Sequence, residues 1–180
     1  AADSDAPQRR LSCALKVVDG ALSSSSPQTS VADQYLRVAD QFVSKVPAAD
    51  SNLHDYHYQR LKLARLQNDA DARARHAQWL VEKAAGSRYE LAALVNMATA
   101  LDTQIKEAPR DQLGDLHARA YDVYTRLAQN LGDSPEALAS QKNARVAQSK
   151  RAYYAEKLGR HDEAAAALAK LLAAFPKDRD

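Results

Sequence analysis

Apolar residues recur every three or four positions along most of the chain, and short polar interruptions break the rhythm. In "QRRLSCALKVVDGAL", Leu11, Leu15, Val18 and Leu22 share a helical face. The run stops in the Ser-rich stretch 23–30, "SSSSPQTS", which has turn chemistry and little to bury, so a loop is expected. A second helix over "VADQYLRVADQFVSK" ends before Pro47, with Ser30 and Asp33 as an S-x-x-D start signal. The third begins near Asp50/Ser51 and runs through "LHDYHYQRLKLARLQ"; the fourth is "DARARHAQWLVEKAA", closed by Gly86. Ser87 and Glu90 form an S-x-x-E box that opens a fifth helix reaching Glu107, and Pro109 separates it from a sixth ending at Leu131. In "LGDSP", Gly132 suits the positive φ that follows a helix end, Ser134 caps the next helix, and Pro135 sits where a first-turn Pro is tolerated. A long seventh helix to Leu158 follows, and "LGRHDEAAAALAKLLAAFPKD" supplies an eighth between Gly159 and Pro176. The pattern predicts an all-α chain of eight helices in four antiparallel hairpins. It forms one helical-repeat domain over 1–180, with residues 1–8 as a disordered lead.

Two internal echoes sharpen this picture. "LGDSPEA" (131–137) and "LGRHDEA" (158–164) share L-G-x-x-x-E-A. "YLRVADQF" (35–42) and "YTRLAQNL" (124–131) share Tyr, Arg and Ala at matching offsets. Self-similarity at intervals of tens of residues points to stacked helical hairpins. The segment 145–178 resembles a tetratricopeptide (TPR) repeat. Gly159 falls at the interhelix turn, Ala164 at the small position, Leu168 and Leu171 at packing positions, and Pro176 at the terminator. Gln148, Arg151 and Ala152 stand where the family usually has an aromatic, a Leu and a Gly. The resemblance implies a right-handed TPR-like α-solenoid whose concave groove holds partner segments. The "LGDSPEAL" segment also resembles repeats found beside bacterial signalling and effector domains.

Composition agrees with the helical reading. Of 180 residues about one in five is Ala, the best helix former, while Gly (5) and Pro (6) are scarce. A net charge of +2 with 27% charged residues leaves no footprint of nucleic-acid binding. No apolar run approaches the roughly 18–20 residues of a membrane span. One cysteine, Cys13, excludes an internal disulfide framework and any multi-cysteine metal site. Its place on the Leu11/Leu15/Val18 helix suggests a small packed residue. A chain that opens on Ala1 with the polar lead "AADSDAPQ" reads as processed or trimmed. Loss of a signal peptide is one explanation and leans toward an exported protein, while one free Cys suits the cytoplasm equally.

Candidate chemistry is sparse. His54 and His57 make an H-x-x-H pair on the third helix, about 60° apart around its axis. Two imidazoles could start a zinc or copper site, but a third ligand is not evident and packing is the better reading. His76, His117 and His161 stand isolated in sequence, and Trp79 and Met97 read as core filling. No P-loop, G-x-S-x-G or G-x-G-x-x-G occurs, and no cofactor is implied. On the seventh helix, Ala137, Ala144, Ala147, Ala155 and Leu158 form a small-residue packing side. Lys142, Val146, Lys150, Tyr153 and Lys157 fall opposite, with Ser149 between them. In TPR proteins that side of a hairpin's first helix lines the groove, and three Lys around a Tyr and a Val suit an acidic or carboxylate-ended segment. The expected function is a non-catalytic protein-interaction module: a scaffold, adaptor or regulatory subunit whose partner is another protein or peptide. The alternative is a helical metal-binding protein or enzyme built on His54 and His57.

Overall fold

The computed structural model describes residues 6–175. Every regular element among them is helical, and no helix is long and apolar enough to cross a membrane. The chain divides into two compact units, residues 1–93 and 94–180.

The first unit holds α1 (Ala6–Ser23), α2 (Thr29–Val43), α3 (Ser51–Leu66), α4 (Ala70–Lys83) and the opening turns of α5 (Arg88–Glu107). α1 pairs with α2, α3 pairs with α4, and α3 also packs against α1 and α2. The stripe Leu11, Leu15, Val18 and Leu22 is buried in one core with Ala32, Leu36 and Ala39 of α2, whose two alanines let the helices approach closely. Asp50 caps α3 by accepting from Asn52 N at 2.8 Å, and Asp69 caps α4 by accepting from Ala72 N at 2.9 Å. Helix α5 opens on a variant of the expected box. Ser87 Oγ accepts from Tyr89 N and Glu90 N, while the Glu90 carboxylate reaches back to Gly86 N at 2.6 Å.

Four expectations change here. Helix α1 already begins at Ala6, so residues 6–8 are helical rather than a lead, and residues 1–5 lie outside the described ones. The Ser-rich loop shrinks to 24–28 because Gln28 N bonds Ala21 O at 2.9 Å and α2 starts at Thr29. Ser30 is therefore inside the first turn and caps nothing; Asp33 pairs with Arg37 at 2.9 Å instead. Cys13 is exposed, because the buried stripe runs through Leu11, Ala14, Leu15 and Val18 and leaves position 13 outside it.

The second unit holds the rest of α5, a 3-10 turn (Arg110–Gln112), α6 (Leu113–Leu131), α7 (Pro135–Ser140), α8 (Lys142–Lys157) and α9 (His161–Ala174). α6 packs along α8, α8 along α9, and the short α7 lies on both α8 and α9 with Leu138 fully buried. The expected seventh helix is thus two helices, making nine α-helices over the described residues. Gln141 is extended (φ −112°, ψ 109°) and breaks the run. The side chain of Arg145 takes up two carbonyls that the break leaves without helical partners, Leu138 O at 3.1 Å and Ala139 O at 2.9 Å. Neither Gly nor Pro marks the site, so the punctuation that signals the other ends is missing.

Both glycines of the L-G-x-x-x-E-A echo take positive φ, 86° at Gly132 and 71° at Gly159. A Cβ at Gly132 would also lie 3.2 Å from Ala137 Cβ. The packing residues of α9 differ from expectation. Ala164 and Ala167 are buried, whereas Leu168 is half exposed and Leu171 only partly covered. Leu168 stands about 100° around the axis from Ala167, off the narrow stripe that meets α8. At Gln148, where the family has an aromatic, the fully buried side chain donates to Ala167 O at 3.2 Å and ties α8 to α9. The expected terminator Pro176 lies outside the described residues.

Candidate functional site

Because α8 buries Ala144, Ala147, Gln148, Ala152, Tyr154 and Ala155, its opposite side is left outward. Lys142, Ser149 and Lys157 are exposed, Val146 is 46% exposed and Tyr153 49%. These figures matter because an unburied Tyr and Val three and four positions from Lys150 are what a partner segment could cover. Val146, Ser149, Lys150 and Tyr153 line a cavity of about 620 Å³ together with Ile105 and Lys106 of α5. Lys157 continues the surface, its ammonium 5.3 Å from the Tyr153 ring centre. Lys142 stands at the first turn of α8 and does not line the cavity.

Lys150 is not the free cation that the sequence suggested. Its ammonium donates to Asp102 at 3.0 Å and lies over the Tyr124 and Tyr154 rings at 6.0 and 5.8 Å. Asp102 also accepts from the Tyr154 hydroxyl at 2.5 Å and the Tyr124 hydroxyl at 2.9 Å. Burial alone would push this carboxyl up. The bonds from Tyr154, Lys150 and Tyr124 outweigh it and hold Asp102 below the usual carboxylate range. Burial and the facing carboxylate raise both tyrosines. Lys150 therefore serves the wall of the groove as much as its surface. Sequence reasoning missed Asp102, Ile105 and Lys106, which belong to a different helix; the i, i+4 spacing of Asp102 and Lys106 on α5 was the only local signal.

The histidines sort differently from their spacing. His54 and His57 do not converge. The His54 ring sits edge-on to Trp79 and Tyr89, at 5.9 and 6.1 Å between centroids. His57 stacks on Trp79 (3.7 Å, 6° between planes), and its Nδ1 lies 3.0 Å from Nδ1 of His76 on α4. His76 is thus no isolated residue. A nitrogen pair that close needs one imidazole as donor and the other as acceptor, so at least the accepting ring is neutral. Burial, then the neighbouring charges, lowers His57 to about 3 and His76 to about 4. Among the described residues no group of three or more His, Cys, Asp and Glu is placed to hold a metal ion. Trp79 is half-buried beside the first unit's core, and Met97 is half-buried. His117 tilts against the Tyr154 ring at 5.7 Å, and exposed His161 meets Glu156 at 3.0 Å.

Comparison with known proteins places the chain beside none of them: no family model, no curated protein and no solved structure matches it.

Proposed function

We propose that the chain is a non-catalytic protein-interaction module of the TPR-like kind, and that the α8 face with the adjoining end of α5 receives a partner segment. The observation that carries this reading is the groove beside α8. Its walls combine half-exposed apolar area at Val146 and Tyr153 and partly buried Ile105 with the cations Lys106 and Lys150. An extended or helical segment carrying acidic side chains beside an apolar anchor fits that lining, the anchor against Tyr153 and Val146 and the acids toward Lys106 and Lys157. The right-handed solenoid and the four-hairpin plan belong to the same proposal, supported by the α1/α2, α3/α4 and α8/α9 pairs and by the matching positive-φ glycines.

Selection of peptides from a random display library on the intact protein tests it. The expected consensus joins at least one Asp or Glu to an aromatic or aliphatic residue. Selected peptides should lose at least about tenfold in affinity against Tyr153→Ala or Val146→Asp, a loss of the size expected for a central anchor. A consensus lacking acids, or affinities indifferent to both substitutions, removes the groove as the site.

A further inference from the structure

The first unit has a cleft of a different character. It is about 500 Å³ in volume and runs between α1, α3 and the first turn of α5. Charged side chains dominate its walls, and they fall into two sets. In the first set Asp19 is already satisfied: Lys62 donates to it at 3.1 Å, Gln59 at 3.0 Å and Ser23 at 3.3 Å. The second set is less closed, its one further bond among the described residues running from the Arg88 guanidinium to the Tyr89 hydroxyl at 3.0 Å. Asp55 is half-buried and accepts only the Gln59 amide, at 3.3 Å, with no ion pair among the described residues. Lys16 and Arg88 stand exposed at the rim, the Arg88 guanidinium lying 4.8 Å over the Tyr89 ring. The Tyr58 and Tyr89 rings meet edge to face at 5.5 Å.

Gln59 links the two sets and fixes their polarity. Its Nε2 faces both carboxylates, so the amide cannot be turned around without placing its oxygen against two anions. Its Oε1 is buried without a partner, and the residue is 2% exposed. A glutamine held at that cost keeps its Nε2 between the Asp19 and Asp55 carboxylates. Burial pushes the Asp55 carboxyl above the usual range, with the Gln59 bond offsetting it only in part. A half-buried carboxylate that accepts one long amide bond and makes no direct ion pair, with Arg88 and Lys62 acting on it only through space, is a recognised mark of a ligand position when it lies in a concave site.

We propose that this cleft binds a small zwitterion of the α-amino-acid type. Its ammonium sits on the Asp55 carboxylate beside the Tyr58 and Tyr89 rings, and its carboxylate is held by Lys16 and Arg88. The sign pattern decides the class. A polyamine would meet Lys16, Lys62 and Arg88 with only two acids to offset them, and a dianion would meet Asp55. A molecule with one charge of each sign complements both ends. The faces of Tyr58 and Tyr89 are already covered by Lys62 at 5.6 Å and Arg88 at 4.8 Å, so Asp55, rather than the rings, supplies the attraction for the ammonium. This inference is independent of the α8 groove.

Thermal melts of the intact protein with each proteinogenic L-amino acid, with putrescine and with succinate test the proposal, followed by calorimetric titration of the best compound. At about 10 mM ligand, at least one amino acid should raise the melting temperature by about 2 °C or more, and putrescine and succinate should not. Asp55→Asn should abolish the shift while its ligand-free melting temperature stays equal to wild type or rises. Arg88→Gln, at an exposed position that does not threaten folding, should weaken titrated binding at least about fivefold, the scale of losing one charged contact. The proposal is overturned if no amino acid stabilises the protein, if putrescine or succinate stabilises it as well as the best amino acid, or if Arg88→Gln binds as tightly as wild type.

Discussion

Asp55 and Asp102 are both partly buried aspartates on the walls of concave sites, and they stand in opposite condition. Asp102, in the second unit, gathers two tyrosine hydroxyls and a lysine, and its carboxyl is held low. Asp55, in the first unit, has one glutamine amide at 3.3 Å and is pushed up by burial. The first arrangement fastens helices together: Asp102 on α5 joins Tyr124 on α6 to Tyr154 and Lys150 on α8. The second leaves bonding capacity unused. Residue type and burial alone do not separate a structural acid from a ligand-facing one; the number of donors aimed at each carboxylate does.

Removing Asp102 should have the largest effect. Asp102→Ala leaves two hydroxyls and an ammonium without their acceptor and is expected to cost about 2–4 kcal/mol in urea melts. A variant as stable as wild type would erase the distinction between the two acids. Acidification comes next and acts on the first unit. His57 and His76 are neutral in the fold, whereas their unfolded rings take up protons below about 6.5. Their contribution is complete above that value and is lost as pH falls through the window toward about 4 and then 3. Trp79, the only tryptophan, reports the change by fluorescence. The double variant His57→Gln/His76→Gln should flatten the pH dependence between 6.5 and 4, and an unaltered slope would contradict the neutral pair.

Smaller effects refine the contrast. Lys150→Glu sets a second carboxylate beside Asp102 and should cost about 1 kcal/mol or more, while Lys157→Glu should stay within about 0.5 kcal/mol of wild type. Equal effects would mean that the Asp102 bond to Lys150 carries no weight. Leu168→Ala removes a half-exposed side chain and should cost less than about 1 kcal/mol, far below a buried Leu→Ala. Asp55→Asn should be the smallest, neutral or slightly stabilising at pH 7. A raised carboxyl stabilises the fold only as pH falls below its folded value, so at neutral pH the ionised form is a cost. A clear loss of stability in Asp55→Asn would make it a structural acid like Asp102.

Much of this fold was legible in the chain, and the reasons divide cleanly. Helix existence followed from period and Ala content, and the turns at Gly86, Gly132 and Gly159 followed from residues that take positive φ. The break at Gln141 was invisible because the carbonyls it frees are taken up by Arg145, a side chain and not a backbone signal. Angular spacing placed Lys142, Val146, Tyr153 and Lys157 on the outward side of α8, since exposure on one helix is a local property, but gave no sign that Lys150 bonds Asp102. Leu168 lies off the packing seam because the Ala164/Ala167 stripe that meets α8 is narrower than the family position implies. Two side-chain pairings, Asp102 with Lys150 and His57 with His76, join residues 48 and 19 positions apart. No spacing rule within one helix reaches that far.

The groove on α8 is tested most directly by amide chemical-shift mapping. Labelled protein would be titrated with an acidic peptide bearing one aromatic residue, at low and at high salt. The expected result is a contiguous set of shifts at Ile105, Lys106, Val146, Lys150, Tyr153 and Lys157, with affinity falling as salt rises because the acids lose their attraction to the lysines. Shifts that leave these residues unmoved while saturating elsewhere on the chain would contradict it.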